Sequence, residues 1–451
     1  MVRRRAYIIC VLQIVLATAG LHSAGWADDS PFQEKDHAAV ISGTQIKRMI
    51  KADFTRYDHD YQRKREADGQ LLQNLAERLA AKQADGNEMA CSNQIFLEAK
   101  WLYHYTTAWA RLDRHLSHLA ESLKDSNQAA ALQQSRENGL WGPCYEEWFL
   151  RIEATFEALQ GLYDRGRTPE YPIMDLGPLS TPEKFKNYID SLLVSDIGTT
   201  GRDNRGELAT ITTVVTGASF KTYLIDFLSR ELARSPKEVP QYASFAAAYE
   251  DILAKWQDPQ TGYWGAWYRS NARLYRTSDL SITYHTITYR NGEIDHWPEV
   301  IKTTLDIKDE PYPYGWQYDG ELNNHNNYDV SRILKLGWPH MSDSEKPRAT
   351  KEIRLMMEWT LTQSLKKDGR FKVDPAFFSS LAAEYYYGVS FLDQIGFWSK
   401  AQRFWTADEF PNTTEVCELI AGRVAELPQH QWETQGALRR LDSNCGQSRK
   451  N

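Results

Sequence analysis

The run Asn323-Asn324-His325-Asn326-Asn327-Tyr328-Asp329 sets amides, an imidazole, a phenol and a carboxylate side by side, directly ahead of an amphipathic helical pattern. Groups that donate, accept and move protons, packed at this density, are the material of general acid–base chemistry. A second cluster at 281–290 carries Ser281, Tyr284, His285, Tyr289 and Arg290, and an aromatic, proline-containing connection joins it to the first. Two such clusters can face one cleft.

The elements that must position them are mostly helical. Apolar residues recur at three and four positions over 71–84, 95–123, 145–163, Pro182–Leu193, 220–233, 242–256, 329–336, 346–365 and 377–395, the period of an amphipathic helix. Breakers such as Gly166 with Pro169, and Pro236 with Pro240, separate successive helices, so helical hairpins are the natural unit. Segment 282–290 is β-branched and aromatic and ends in Asn291-Gly292, which suits either a hairpin strand or a helix; helix is favoured in context, with Ser281, His285 and Thr288 or Tyr289 on one face. Val330, Ile333, Leu334 and Gly337 follow helical spacing, which puts His325 and Tyr328 on the loop and first turn of a helix whose positive end favours an anion. Asn327 is a candidate cap for that helix, with Asp329 complementing its dipole.

Composition narrows the function. The formal charge is −7, and Arg3-Arg4-Arg5 ahead of an apolar run reads as a secretory signal peptide, 1–27, cut after Ala27. Losing those three arginines takes the mature chain, 28–451, from −7 to −10, with no electrostatic footprint for nucleic acid. No later run approaches the roughly 20 apolar residues of a membrane span, so no stable membrane insertion is expected after the signal is removed. The expected location is the periplasm or the extracellular space. An anionic ligand would need a local basic cleft against this overall field, and Arg269, Arg273, Arg276 and Arg290 are candidates to line it. Cys91, Cys144, Cys417 and Cys445 show no metal-ligand spacing; of their three connectivities in an exported chain, 91 with 144 and 417 with 445 is the most local. No phosphate loop, Gly-x-Ser-x-Gly elbow or His-Glu-x-x-His helix is present, and no metal or cofactor is expected.

Two segments carry a resemblance. Asp258-Pro259-Gln260-Thr261-Gly262-Tyr263-Trp264 is similar to the Asp-x-x-Thr-Gly-x-Trp segments that begin inner helices in toroid enzymes acting on carbohydrates, and Asn323-Asn324-His325 resembles the Asn-Asn-His motif of toroid-type polysaccharide lyases. Taken with the Tyr284-His285 cluster, His325-Asn326-Asn327-Tyr328 looks like the glucuronan and alginate lyases of another toroid family. The resemblance implies a single α/α toroid, mainly α with little strand, that cleaves an acidic polysaccharide by β-elimination. Such a lyase neutralises the uronate carboxylate, removes the C5 proton and protonates the departing glycosidic oxygen. Asn324 and Arg290 would bind the carboxylate, Tyr328 would be base and acid, and His285 and His325 would neutralise charge or share the proton. Trp264, Trp267 and Trp316, with Tyr284, Tyr289, Arg269 and Arg273, would hold the sugar chain, the rings stacking on its C–H faces. Two other readings stand beside this one. A toroid glycoside hydrolase would draw a carboxylate pair from Asp258, Asp279, Asp319, Glu321 and Asp329, and a noncatalytic glycan-binding protein would use the rings alone.

Overall fold

Helix α1 (Gly43–Tyr57) begins where Ser42 and Gln45 cap each other, the Ser42 hydroxyl accepting from the Gln45 N–H at 3.3 Å and the Ser42 N–H donating to the Gln45 side chain at 3.0 Å. This capping box satisfies two N–H groups that a helix end otherwise strands. A computed structural model describes residue 32 and residues 38–163, 165–217, 240–373, 381–429 and 431–448. After α1 come α2 (Tyr61–Ala84), α3 (Ala90–Tyr105) and α4 (Trp109–Ser122). The single helical stretch expected over 95–123 is two helices, because Thr106 turns extended (φ −142°, ψ 167°) and bridges antiparallel to Arg202.

Helices α5 (Trp148–Tyr163) and α6 (Pro182–Leu193) follow. The bounds of α6 are those the sequence predicts: Thr181 accepts from the Lys184 N–H at 3.2 Å, and Pro182 fills the first helical position, where a missing N–H costs nothing. One turn, α7 (Ile197–Thr200), precedes α8 (Arg205–Thr216). The helix expected over 220–233 lies outside the described residues. Then come α9 (Pro240–Trp256), α10 (Leu280–Tyr289), α11 (Trp297–Asp306), α12 (Asn324–Gly337), α13 (Glu345–Trp359), α14 (Leu381–Gln394), α15 (Thr413–Val424) and α16 (Trp432–Ser448). Segment 282–290 is therefore helix, capped by Asp279, which accepts from the Ile282 N–H at 3.0 Å. The cap of α12 is Asn323 rather than Asn327, its side chain accepting from the Asn326 N–H at 2.8 Å, so both His325 and Tyr328 lie within the helix.

The protein is mainly helical. Its strands are short: β1 (Ala39–Val40), β2 (Val194–Ser195), β3 (Trp267–Ser270) and β4 (Arg273–Arg276) form one sheet in the order β1-β4-β3-β2. The β3–β4 hairpin is antiparallel, with Trp267 opposite Arg276, and the outer strands pair parallel to it. The Asp-x-x-Thr-Gly-x-Trp segment leads into β3 and not into a helix. Asp258 accepts from the Gln260 N–H at 2.8 Å, and Gly262 holds the turn at φ +69°, a conformation that suits glycine.

Helix packing runs in a connected series: α5 on α8, α8 on α10, α10 on α12, α12 on α14 and α14 on α16. Helix α3 touches α8 and α2, and α2 reaches α14. Helices α4, α11 and α15 back α3, α12 and α16 respectively. One apolar cluster extends through this framework from Ala38 to Leu441. Cys91 is joined to Cys144 and Cys417 to Cys445, with Cα–Cα distances of 5.5 and 5.7 Å; both are the pairings of nearest cysteines. Among the described residues no helix is long and apolar enough to cross a membrane.

Candidate functional site

A cavity of about 1230 Å³ opens among α1, α2, α3, α5, α8, α12, α14 and α16 and the loop that carries Tyr312 and Tyr314. Arg205, the first residue of α8, reaches its wall. The guanidinium is buried and held by Asp279, accepting at 2.7 and 3.0 Å, and it donates to the Tyr105 hydroxyl at 3.1 Å. Burial alone would lower the Arg205 pKa, but the Asp279 carboxylate outweighs it and keeps the group charged. Asp279 also caps α10, so one carboxylate ties together the starts of α8 and α10. Gly206 permits the approach of α8 to α3, since a Cβ there would stand 2.7 Å from the Tyr105 ring.

Behind Arg205 the wall is cross-linked. Tyr268 donates toward both Asp203 oxygens at 3.2 Å and shares a 2.7 Å hydrogen bond with Tyr314, while the Arg205 N–H donates to Asp203 at 2.9 Å. Burial pushes the Asp203 carboxyl up to about 6. A guanidinium held this way cannot relax away from its station, which is what a preorganised anion contact requires.

His325 enters the same cavity from the first turn of α12. Its ring meets Tyr387 edge-on at 4.4 Å and Tyr312 at 5.7 Å. Nδ1 lies 3.2 Å from the Asn326 side-chain oxygen and 3.7 Å from Asp329. Burial lowers the imidazole to about 4, with Lys100 adding to the effect and the Asn326 hydrogen bond opposing it. The ring is therefore neutral at pH 7, and with Nδ1–H given to Asn326 its lone pair sits on Nε2. Asp329 is buried with neither carboxylate oxygen hydrogen-bonded, and burial pushes its pKa well up.

The structure brings together only part of the set named from sequence. His325 lines the cavity; Tyr328 and His285 stand behind that wall. The Tyr328 ring packs against Tyr284 at 5.7 Å and Tyr387 at 6.0 Å, and burial pushes its hydroxyl up to about 12, which keeps it protonated. His285 stacks on Tyr289, its Nδ1 has no hydrogen-bond partner, and burial lowers it to about 3. Asn324, fully buried, donates to Ser364 at 2.9 Å and Glu384 at 2.7 Å and accepts from Thr360 at 3.2 Å. Those bonds occupy its amide inside the protein, away from any ligand. Arg290 is drawn outward, donating to both Glu250 oxygens at 2.7 Å.

The expected sugar platform is sealed. Trp264, Trp267 and Trp316 are each 2% exposed, and Tyr284 is buried too. Trp264 donates to the Leu253 carbonyl at 3.0 Å, and Phe32 packs edge-on against Trp267 at 5.4 Å. Arg269 and Arg273 sit on the β3–β4 hairpin and Tyr289 is exposed at the end of α10; none of the three lines the cavity. Arg276 is occupied by Asp258 at 2.8 Å. Of the carboxylates named for hydrolysis, Asp258 and Asp279 are engaged with arginines and Glu321 with Lys372, Asp319 lines the cavity, and Asp329 is buried with its pKa pushed well up.

Sequence reasoning missed Arg205, Tyr105, Tyr387, Lys47 and Lys100, all on the cavity wall. The nearest signal for Arg205 is Asp203-Asn204 immediately ahead of a helical pattern, a helix start that would place a cation at its mouth. Comparison with known proteins found no matching family model, no matching curated protein and no matching solved structure.

Proposed function

We propose that the protein is an exported α/α-toroid polysaccharide lyase that cleaves a uronate-containing polymer, glucuronan-like or alginate-like, by β-elimination. The observation that carries the reading is the pairing, in one cavity, of a fixed guanidinium with a neutral imidazole and tyrosine hydroxyls: Arg205, His325, Tyr312 and Tyr387. The linked series of helices from α5 to α16, closed through α2, favours the toroid, and two disulfides favour an oxidising location.

In this mechanism the substrate carboxylate lies against Arg205, with Lys47 from α1 on the same side of the cavity. Neutralising that carboxylate acidifies the C5 proton. His325 Nε2 accepts the proton, the C5 electron pair forms the C4–C5 double bond, and the C4–O bond breaks. Tyr387 or Tyr312, both kept protonated by burial, supplies a proton to the departing oxygen.

The test is ultraviolet absorbance of the conjugated double bond while purified protein acts separately on glucuronan, alginate, pectate and hyaluronan. A rise that His325→Ala abolishes supports elimination. Reducing ends that accumulate without absorbance would assign hydrolysis instead, and binding without either would assign a glycan-binding role.

A further inference from the structure

His104 is a second histidine on the cavity wall, one turn beyond Lys100 on α3, and no step of the elimination yet uses it. The Arg65 guanidinium of α2 meets its ring, with Nη2 3.4 Å from His104 Nδ1. A guanidinium has no lone pair to offer, so Arg65 donates, Nδ1 accepts, and the imidazole proton is fixed on Nε2. Arg65 is itself held in place. It donates to the Tyr61 hydroxyl at 2.8 Å and to the Tyr103 carbonyl at 3.1 Å, and it lies over the Tyr103 ring at 4.5 Å. Gly69, one turn after Arg65, lets that ring in, since a Cβ there would stand 2.5 Å from the Tyr103 hydroxyl. Burial holds the His104 pKa well below the ordinary 6.5, and the charges of Arg65, Lys100 and Lys47 act in the same direction, so the ring is neutral at pH 7.

His325 is held the opposite way. The Asn326 side-chain N–H donates to the Trp316 carbonyl at 2.7 Å, which turns the amide oxygen toward His325 Nδ1 at 3.2 Å. That nitrogen must carry the proton, and the lone pair is on Nε2. One cavity therefore presents two neutral imidazoles in opposite tautomers, and the Lys100 charge acts on both. The two do different work in an elimination. As C5 loses its proton, negative charge spreads onto the carboxylate oxygens, and a fixed neutral N–H aimed at them stabilises that charge as it develops. With Nδ1 taken by Arg65 and Nε2 protonated, His104 has no lone pair with which to compete for the C5 proton.

We infer that His104 is a further substrate-binding and catalytic residue of this cavity, its Nε2–H hydrogen-bonding the uronate carboxylate beside Arg205 while His325 takes the C5 proton. The chain itself sets this neighbourhood. Tyr105 follows His104 directly, with ring centroids 6.2 Å apart, and its hydroxyl is the one that accepts from Arg205 at 3.1 Å. The catalytic part rests on the lyase reading, whereas the tautomer and the contact with a uronate are read without turnover.

The experiment is nitrogen-15 NMR of the histidine rings in the intact protein at pH 7, with and without oligosaccharides of glucuronan and of alginate. The two ring signals are identified by their loss in His104→Gln and His325→Gln, with His104→Asn in reserve if the glutamine variant does not fold. A proton on Nε2 of His104 and on Nδ1 of His325 is expected, and at least one of the oligosaccharides should shift the His104 Nε2–H signal. In turnover followed by double-bond absorbance, His104→Ala should lower kcat/KM by roughly 10²- to 10³-fold, the usual cost of one such donor. His104→Gln keeps a neutral N–H donor on that side chain and should stay within about tenfold of the parent. A ring that merely supported the fold would lose activity in both variants alike, together with melting temperature. A proton on Nδ1 of His104, an imidazolium there at pH 7, a His104 signal that no oligosaccharide moves, or equal losses in the alanine and glutamine variants each overturn the inference. If the tautomer and the shift are found with no rise in absorbance, the contact with the uronate holds and elimination is the part that fails.

Discussion

Trp267 and Trp432 are the same residue type in two regions that could hardly differ more. The first is 2% exposed between the sheet and the core; the second is 45% exposed on the wall of the cavity. The histidines divide the same way, His285 behind the wall and His325 on it. Density of aromatic and polar residues in sequence marks where chemistry can be built, but the fold decides which of them meets a ligand. The region richest in such residues, 256–268, went into the core.

The sharpest way to break this comparison is through the two histidines. His325→Ala should lower turnover by roughly 10²- to 10⁴-fold, the usual contribution of a positioned acid–base group, a loss far larger than the modest destabilisation from its ring contacts with Tyr312 and Tyr387. His285→Ala should do the reverse, altering stability and leaving kcat/KM within about tenfold, because it removes a ring that packs against Tyr284 and Tyr289 and does not line the cavity. Equal losses of turnover in both variants would erase the distinction between wall and interior.

The tryptophans test the same line in stability. Trp267→Ala should cost about 3–5 kcal/mol by denaturant unfolding, the range for truncating a large buried ring. Trp432→Ala, exposed and outside the core, should stay within about 0.5 kcal/mol while weakening substrate binding. A comparable loss of stability at Trp432 would mean that its ring supports the fold and not the ligand.

What the sequence disclosed follows from how local each signal is. Helix α6 was legible to the residue because Thr181 and Pro182 mark its start within a few positions. The break between α3 and α4 was not, since Thr106 leaves the helix to bridge Arg202, a partner far along the chain. At the site, His325 was legible as a residue type in a dense polar run, but its neighbour Asn324 looked equally suited and turned inward to Ser364, Thr360 and Glu384. Adjacent positions on a helix point about 100° apart, so the sequence could not say which faced the cleft until α12 was placed against α14. Arg205 depends on Asp279, 74 positions away, and no local pattern joins them.

The disulfides sharpen the comparison by separating scaffold from site. Cys91–Cys144 closes 53 positions around α3, which lines the cavity, whereas Cys417–Cys445 closes 28 positions between α15 and α16. Each should contribute about 2–4 kcal/mol in the chain-entropy account, slightly more for the longer loop. Unfolding with and without reductant, with each cysteine pair replaced in turn by alanine, measures the two contributions. A bond whose loss changes neither the unfolding midpoint nor activity would be no part of that scaffold.

The smallest effect concerns protons, where the two histidines and Asp203 act in opposite directions. His325 and His285 have folded-state pKa values of about 4 and about 3, below the ordinary 6.5, so the unfolded chain takes up protons first as pH falls. Their contribution to stability is complete above pH 6.5 and is lost as pH falls from there through about 4 for His325 and about 3 for His285. Asp203, raised to about 6 from 3.8, works the other way: its ionisation burdens the fold above pH 6, and that burden lifts as pH falls toward 3.8. Between pH 6 and 4 the terms partly cancel, so stability should vary less there than the histidines alone dictate. In the proposed elimination activity has no such compensation, because there the C5 proton goes to neutral His325. The acid limb of kcat/KM should therefore fall near pH 4 and not near 6.5, and Lys100→Met should move it upward only modestly, since burial is the first cause of the shift and Lys100 a lesser one. A limb at 6.5 that Lys100→Met leaves in place would put the proton-accepting group in open solvent, outside the wall on which His325 stands.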